Sequence, residues 1–169
     1  MDYRAKLQQA VNSLIGKRLW GCARATNMVM FQFGEARAIT DQLGREKEVG
    51  EFALHVQCPW RIAVDDRVIV GSRDINYPAD YSEGDEIPES FDWDKDRTRL
   101  DRLIDFFLHE STNLRVRDIK AGRAASLCIA VGENLYLDVF PNDSLPSEHW
   151  RLLEPGKKVP HFVAARIEP

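Results

Sequence analysis

The sequence predicts an α+β fold, in which a mostly antiparallel sheet of about seven or eight strands carries two helices. Two segments, 3–15 and 100–108, repeat apolar residues at the spacing of one helical face. Several short apolar runs are separated by two or three turn residues, as in antiparallel hairpins. The order helix, hairpins, helix, hairpins argues against a parallel doubly wound sheet, and it leaves a strongly curved or barrel-like sheet open.

The first helix is predicted from Tyr3 to Ile15, where Gly16 is a natural stop. The apolar runs in RLWGCARATNMVMFQFG flank a polar turn at 25–27 and predict a hairpin. The polar segment from Glu35 to Gly50 fits either one short helical turn or a loop.

The stretch EFALHVQCPWRI predicts a strand from Glu51 to Gln57 and a second from Trp60 to Val64. Pro59 cannot donate to a strand ladder, so the chain is expected to bend there. Asp65 and Asp66 then separate RIAV from RVIV and predict a two-residue hairpin turn.

Side chains alternate between the two faces of a strand, which separates the reactive groups of this stretch. Cys58 shares the apolar face with the residues at 52, 54 and 56, and His55 shares the opposite face with Gln57. His55 and Cys58 therefore cannot bind one ion together, and we expect Cys58 to be a core thiol. His55 and Gln57, with Arg61 beyond the bend, could instead line a shallow polar pocket for a small ligand.

The segment at about 72–94 is predicted to be a long acidic loop. It contains Pro78, Gly84 and Pro88 and shows no periodicity. Nine acidic residues and one lysine lie between Asp74 and Asp96, which leaves this span at -8 in a chain of net charge -4. The rest of the chain therefore carries about +4, and the loop is expected to project a negative field. The carboxylates expected to contact a basic partner are Asp80, Glu83, Asp85, Glu86 and Glu89.

The second helix is predicted to begin near Lys95, with Asp94 or Asp96 as its cap, and to stop at Asn113. The alternation in LRVRDIKA predicts a half-exposed strand. SLCIAV and LYLDVF flank the turn at 132–134 and predict a hairpin, and HFVAARI predicts a final strand.

No metal site, cofactor or catalytic motif is predicted. The four histidines lack the spacing of zinc ligands, and no nucleophile stands in a recognisable motif with a base. Asp92, Asp94 and Asp96 have the alternate spacing of calcium ligands, but Arg97 and Leu103 stand where an EF-hand needs glycine and glutamate. Another calcium geometry and a helix cap both stay open for these acids, and the cap is preferred.

The composition indicates which classes of protein this chain can belong to. With 169 residues, of which 44% are hydrophobic and 30% charged, one globular domain over 1–169 is expected. The acidic balance argues against binding to nucleic acid or anionic membranes, and no apolar run has the length of a membrane span. An odd number of cysteines in apolar runs, Cys22, Cys58 and Cys128, is typical of buried thiols in a reduced, cytoplasmic compartment.

The blocks LHVQCPWRI, NLYLDVFPNDSLPSEHWRLLEP and HFVA resemble a group of small uncharacterised bacterial proteins. The likeness covers Leu54–Ile62, Asn134–Pro155 and His161–Ala164, which is under half of the chain. It implies an immunity-like or antitoxin-like role by analogy only, and it carries over no functional residue.

Three classes of function follow from these observations. The first is a non-catalytic protein–protein interaction of the acidic loop with a basic partner. The second is a small-ligand-binding protein with a pocket near His55, Gln57 and Arg61. The third is an enzyme with residues dispersed along the chain. The acidic loop favours the first, because like charges are readily desolvated only opposite cations.

Overall fold

The computed structural model describes residues 2–41, 43–110, 113–145 and 147–165, and it confirms the α+β class. The described chain contains two α-helices, α1 (Tyr3–Val11) and α2 (Arg99–Glu110), neither of which combines the length and apolarity needed to cross a membrane. The twelve strands are β1 (Leu19–Ala25), β2 (Met28–Phe33), β3 (Arg37–Thr40), β4 (Glu46–Val49), β5 (Phe52–Val56), β6 (Trp60–Val64), β7 (Arg67–Gly71), β8 (Val116–Ala121), β9 (Leu127–Val131), β10 (Leu135–Val139), β11 (Glu148–Leu153) and β12 (Phe162–Ala165).

The strands form two sheets and a separate hairpin instead of the single sheet of seven or eight strands that the sequence predicts. The first sheet has the order β1-β2-β5-β11-β12, the second has the order β7-β6-β10-β9-β8, and β3 pairs with β4. Every pairing within them is antiparallel. The division falls at Pro59, where the chain leaves β5 and begins β6 in the other sheet, because proline interrupts the ladder.

One core joins both sheets and both helices. The rings of Phe31 on β2 and Trp60 on β6 meet edge to face, with their centroids 5.1 Å apart. Leu7 of α1 and Leu100 of α2 are buried in the same cluster. Cys58 is also buried in it, as the alternation of β5 predicts.

The segment from Glu35 to Gly50 is a β-hairpin, where the sequence suggested a helical turn or a loop. The carboxylate of Asp41 accepts hydrogen bonds from the backbone amides of Leu43 and Arg45, at 2.8 and 3.0 Å. These hydrogen bonds form the turn that brings β3 against β4. They decide the local structure, because the apolar residues of the segment are too few to define a helical face. The arginine that begins β3 donates to the backbone carbonyl of Pro155, so the hairpin contacts the end of the first sheet.

Helix α2 begins at Arg99, later than the predicted start near Lys95. Thr98 and Asp101 form its cap: the Thr98 amide donates to the Asp101 carboxylate at 2.8 Å, and the Thr98 hydroxyl accepts from the Asp101 amide at 3.4 Å. Asp94 and Asp96 therefore do not cap α2. Asp96 instead accepts from the backbone amide of Asp92 at 2.9 Å, in a separate turn before the helix.

Strand β11 is absent from the sequence prediction, and it is central to the first sheet. Its pairing with β12 shifts register between Glu148 and Trp150, which makes His149 the extra residue of a β-bulge. The bulge turns His149 inward, where it is 5% exposed.

Candidate functional site

The acidic loop is an excursion, residues 78–98, whose two ends are held together. Pro78 and Thr98 form an antiparallel bridge, and the Ala79 amide donates to the Arg97 carbonyl at 3.0 Å. Arg24 of β1 holds the part of the excursion that adjoins α2, which we call its base. The Arg24 guanidinium donates to the backbone carbonyls of residues 93 and 96, at 3.3 and 3.2 Å. The excursion therefore leaves and rejoins the fold at a fixed base.

Two carboxylates at the base of the excursion are paired with cations, whereas Asp94 and Asp96 form no ion pair with a described residue. Asp101 accepts from Arg24 at 2.8 Å, and Asp92 pairs with Lys95 at 2.9 Å. Although burial alone raises the pKa of Asp101, hydrogen bonds from Arg24 and from residue 98 lower it below its ordinary value. These carboxylates hold the base together.

Carboxylates at the tip, defined as residues 80–89, differ from those at the base. Five exposed carboxylates there form no ion pair with any residue that the structure describes: Asp80, Glu83, Asp85, Glu86 and Glu89. One of them, Asp85, accepts a local backbone hydrogen bond from Ser82 at 2.7 Å. The tip thus projects a cluster of negative charge that the fold itself does not neutralise.

Apolar groups stand beside these charges. Trp93 is 42% exposed and contacts Phe91, with the ring centroids 4.6 Å apart. Ile87, within the tip, is 38% exposed. Tryptophan is enriched in the cores of protein interfaces, and charged groups lie at their rims.

His55 lies on the outer face of the first sheet, as the alternation predicts. Burial, with the positive charge of Arg151 as the second cause, lowers the pKa of His55 to about 4, so the imidazole is neutral at pH 7. Gln57 follows β5 and donates to the Glu148 carboxylate at 3.2 Å. Glu148 also pairs with Arg151 at 2.5 Å, so His55 and Gln57 stand beside one small polar network.

Arg61 lies apart from these two residues, on β6 of the second sheet. Its guanidinium pairs with Asp138 of β10 at 3.0 Å and lies over the Phe140 ring, 5.9 Å from the centroid. It also lines a cavity on that sheet together with Lys120 and Cys128. His55 and Gln57 therefore lie in the same region of the first sheet, whereas Arg61 lies on the second sheet.

All three thiols are unpaired and have raised pKa values. Burial raises the pKa of Cys58 to about 12, and it raises that of Cys22 still further. The pKa of Cys128 is also raised, mainly by burial and secondly by the neighbouring Asp138 carboxylate. Because the thiolate is the reactive form, this chemistry does not favour a nucleophilic cysteine.

A second candidate site, not found by sequence reasoning, is a cavity of about 510 Å³ beside His149. We call it the His149 cavity. It lies between the start of α1, the turn that precedes β9 and the connection from β10 to β11, and its lining residues are Asp2, Tyr3, Arg4, Leu7, Gly122, Arg123, Ala124, Ala125, Pro141, Asp143, Ser144, His149 and Ala165. These segments are far apart in sequence, and a bulge in an unpredicted strand supplies the histidine, so no local pattern could indicate the cavity.

The wall of the His149 cavity includes a strained turn. Ala124 and Ala125 have φ values of 51° and 58°, in the left-handed region that alanine rarely adopts. The indole N–H of Trp150 donates to the Ala125 carbonyl at 2.7 Å, and this bond is buried. The neighbouring residue of β11 thus fixes the turn that lines the cavity.

No family model, curated protein or solved structure matches this chain. The described residues also contain no group of three or more histidine, cysteine or acidic side chains placed to hold a metal ion. Asp92, the first of the three alternate acids, is bonded to the Asp94 amide at 3.1 Å as well as to Lys95. The acidic excursion and the His149 cavity are therefore the two features of the fold that bear on function.

Proposed function

We propose that the protein is a non-catalytic interaction protein that binds a basic partner through the tip of its acidic excursion. The observation that carries the proposal is the contrast between tip and base. At the base, Asp92 and Asp101 have cationic partners within the fold, whereas at the tip all five carboxylates have none among the described residues. A cationic surface of another protein would neutralise the tip carboxylates.

The arrangement of the tip supports this function physically. The bridge between Pro78 and Thr98 fixes where the excursion begins and ends, so the charges stay grouped on one side of the molecule. Grouped like charges accelerate encounter with an oppositely charged partner, over a distance of roughly 8 Å at physiological salt. Trp93 and Ile87 provide apolar area that such an interface would bury. This interaction fits the immunity-like or antitoxin-like role that the sequence resemblance implies.

A small-ligand function at His55, Gln57 and Arg61 is a weaker proposal. His55 and Gln57 share the polar network around Glu148, and Arg61 is already paired with Asp138 on the other sheet. A ligand near His55 would therefore be bound without the Arg61 guanidinium that the sequence pattern suggested.

The proposal is tested by affinity capture from the native cell with three forms of the protein. The tip variant is D80N/E83Q/D85N/E86Q, which removes four of the five unpaired carboxylates. The control is E46Q/E48Q/D66N/E133Q, which removes four other exposed carboxylates and gives the same net charge. We expect the wild type and the control to retain the same basic protein, released by salt, and the tip variant to lose it.

Net charge alone cannot produce this pattern, because both variants change it equally. Equal retention by the tip variant and the wild type would contradict the proposal. Equal loss from the tip variant and the control would also contradict it, since the location of the charge would then be irrelevant.

A further inference from the structure

We propose that the His149 cavity binds a small organic acid, with its carboxylate at His149 and the start of α1 and its apolar body against Tyr3 and Leu7. The inference concerns a different part of the molecule from the acidic excursion and does not depend on the proposed function. It rests on the placement of His149, on the uncapped start of α1, on the charges of the lining and on the apolar wall.

His149 is a buried polar residue that lines the cavity. The bulge in β11 turns it inward, it is 5% exposed, and it forms part of the wall. Its backbone carbonyl accepts from the amides of Gln57 and Cys58, at 2.9 and 3.2 Å. Within the ranges that the structure describes, no hydrogen bond is made by its imidazole. The ring nitrogens are not fully enclosed by protein, so an acceptor on a ligand could reach the imidazole N–H.

The start of α1 supplies further donors at the same cavity. The first helical hydrogen bond runs from the Lys6 amide to the Asp2 carbonyl at 3.1 Å, so the amides of the preceding turn have no partner within the helix. The side chain of Asp2 makes no capping bond to them. Tyr3 and Arg4, which belong to this turn, line the cavity. Free amides and the positive end of the helix dipole favour an anion there.

The charged side chains of the lining are balanced, which limits the charge that a ligand can bring. Arg4 and Arg123 are balanced by Asp2 and Asp143 around the same cavity. The Arg4 guanidinium is fixed, since its Nε donates to the Ala121 carbonyl at 2.9 Å. Both carboxylates repel any anion, but they repel a phosphate dianion about twice as strongly as a singly charged carboxylate, which a cation and a few N–H donors can hold.

The remaining wall accommodates an apolar body. Tyr3, Leu7, Ala125 and Pro141 contribute apolar surface, and the volume of about 510 Å³ lies within the range of small-molecule sites. The bond from Trp150 to the Ala125 carbonyl holds this wall in place before any ligand arrives. A preformed wall lowers the free energy needed to order the site on binding.

The inference is tested by titrating the isotope-labelled full chain with phenylacetate and, separately, with its neutral analogue phenylacetamide. Amide and imidazole signals are followed by NMR. We expect saturable shifts at Tyr3, Arg4, Ala125 and the His149 ring with phenylacetate, and affinity at least about tenfold weaker with phenylacetamide, because the charge-assisted bonds are lost.

Three variants locate the binding. His149→Phe should weaken phenylacetate binding by at least about tenfold, whereas the matched replacement His55→Phe, on the outer face of the first sheet, should leave it unchanged. Arg123→Gln at the exposed rim should weaken it by roughly threefold to tenfold, and it tests the site even if the buried replacement does not fold.

Three results would overturn the inference. The first is the absence of saturable shifts at the His149 cavity in the unaltered protein. The second is equal affinity for phenylacetate and phenylacetamide. The third is binding of inorganic phosphate at this place as tight as that of phenylacetate, which would rule out a single carboxylate as the preferred group.

Discussion

The tip of the acidic excursion and the His149 cavity use polar groups in opposite ways. At the tip, five carboxylates of one sign stand in water and pair with no described residue of the fold. In the cavity, two cations and two carboxylates share the lining with His149, which a bulge positions, and with a strained turn. The tip therefore acts through its field at a distance, and the cavity acts through groups held in fixed geometry. Changes to the tip should affect association alone, whereas changes to the supports of the cavity should affect folding.

The largest expected effect is on the support of the cavity. Trp150→Phe keeps an aromatic ring in the core but removes the indole N–H, which leaves the Ala125 carbonyl buried without a donor. We expect the free energy of unfolding to fall by about 2–3 kcal/mol, measured by urea denaturation. The strained turn at 124–125 should also exchange its amide hydrogens faster. A loss below about 0.5 kcal/mol would mean that the turn does not depend on this bond.

The base of the excursion should be the next most sensitive region. Arg24→Met removes the guanidinium that holds Asp101 and the carbonyls at 93 and 96. We expect a loss of about 1–3 kcal/mol in the free energy of unfolding, because Asp101 keeps its charge but loses its cation. Hydrogen exchange in residues 78–98 should accelerate. Unchanged exchange there would show that Arg24 does not anchor the excursion.

A pH effect is expected at His55. The folded pKa of about 4 lies below the ordinary value of 6.5, so the unfolded chain binds the proton more readily between these pH values. Stability should therefore fall as the pH decreases from 6.5 towards 4. The contribution of His55 should be about 1–2 kcal/mol, once its partial exposure is taken into account.

His55→Gln isolates this contribution. The variant should lose less stability than the wild type between pH 6.5 and pH 4.5, as measured by urea denaturation at both pH values. An equal pH dependence of the His55 variant and the wild type would show that His55 titrates normally in the folded protein.

The sequence predicted the local features of this contrast and missed the long-range ones. The acidic excursion is a property of composition over consecutive residues, so its position and exposure were predictable. The inward face of β5, with Cys58 in the core, followed from strand alternation. The cavity was not predictable, because residues from α1, the 122–125 turn and β11 meet only through the tertiary fold.

The errors have identifiable physical causes. One sheet was expected because hairpin signals do not say which hairpins share a sheet, and the bend at Pro59 divides them. The start of α2 was placed too early because several acids could serve as caps, and Thr98 with Asp101 supplies the complete capping box. Strand β11 was missed because its bulge at His149 breaks the alternation.

The smallest expected effect on stability comes from the tip itself. In D80N/E83Q/D85N/E86Q, the free energy of unfolding should change by less than about 0.5 kcal/mol, because exposed carboxylates without ion pairs contribute little to folding. Equilibrium denaturation of this variant and the wild type measures the change. A larger loss would show that the tip supports the fold.

The decisive measurement is the association rate with the captured partner, followed by stopped-flow at about 20 mM and about 200 mM salt. For the wild type and the E46Q/E48Q/D66N/E133Q control, we predict a rate that falls by at least about tenfold as salt rises. For the tip variant we predict a slower rate at low salt and a change of less than about threefold. The same rate and the same salt dependence for all three proteins would contradict the claim that the tip recruits a basic partner.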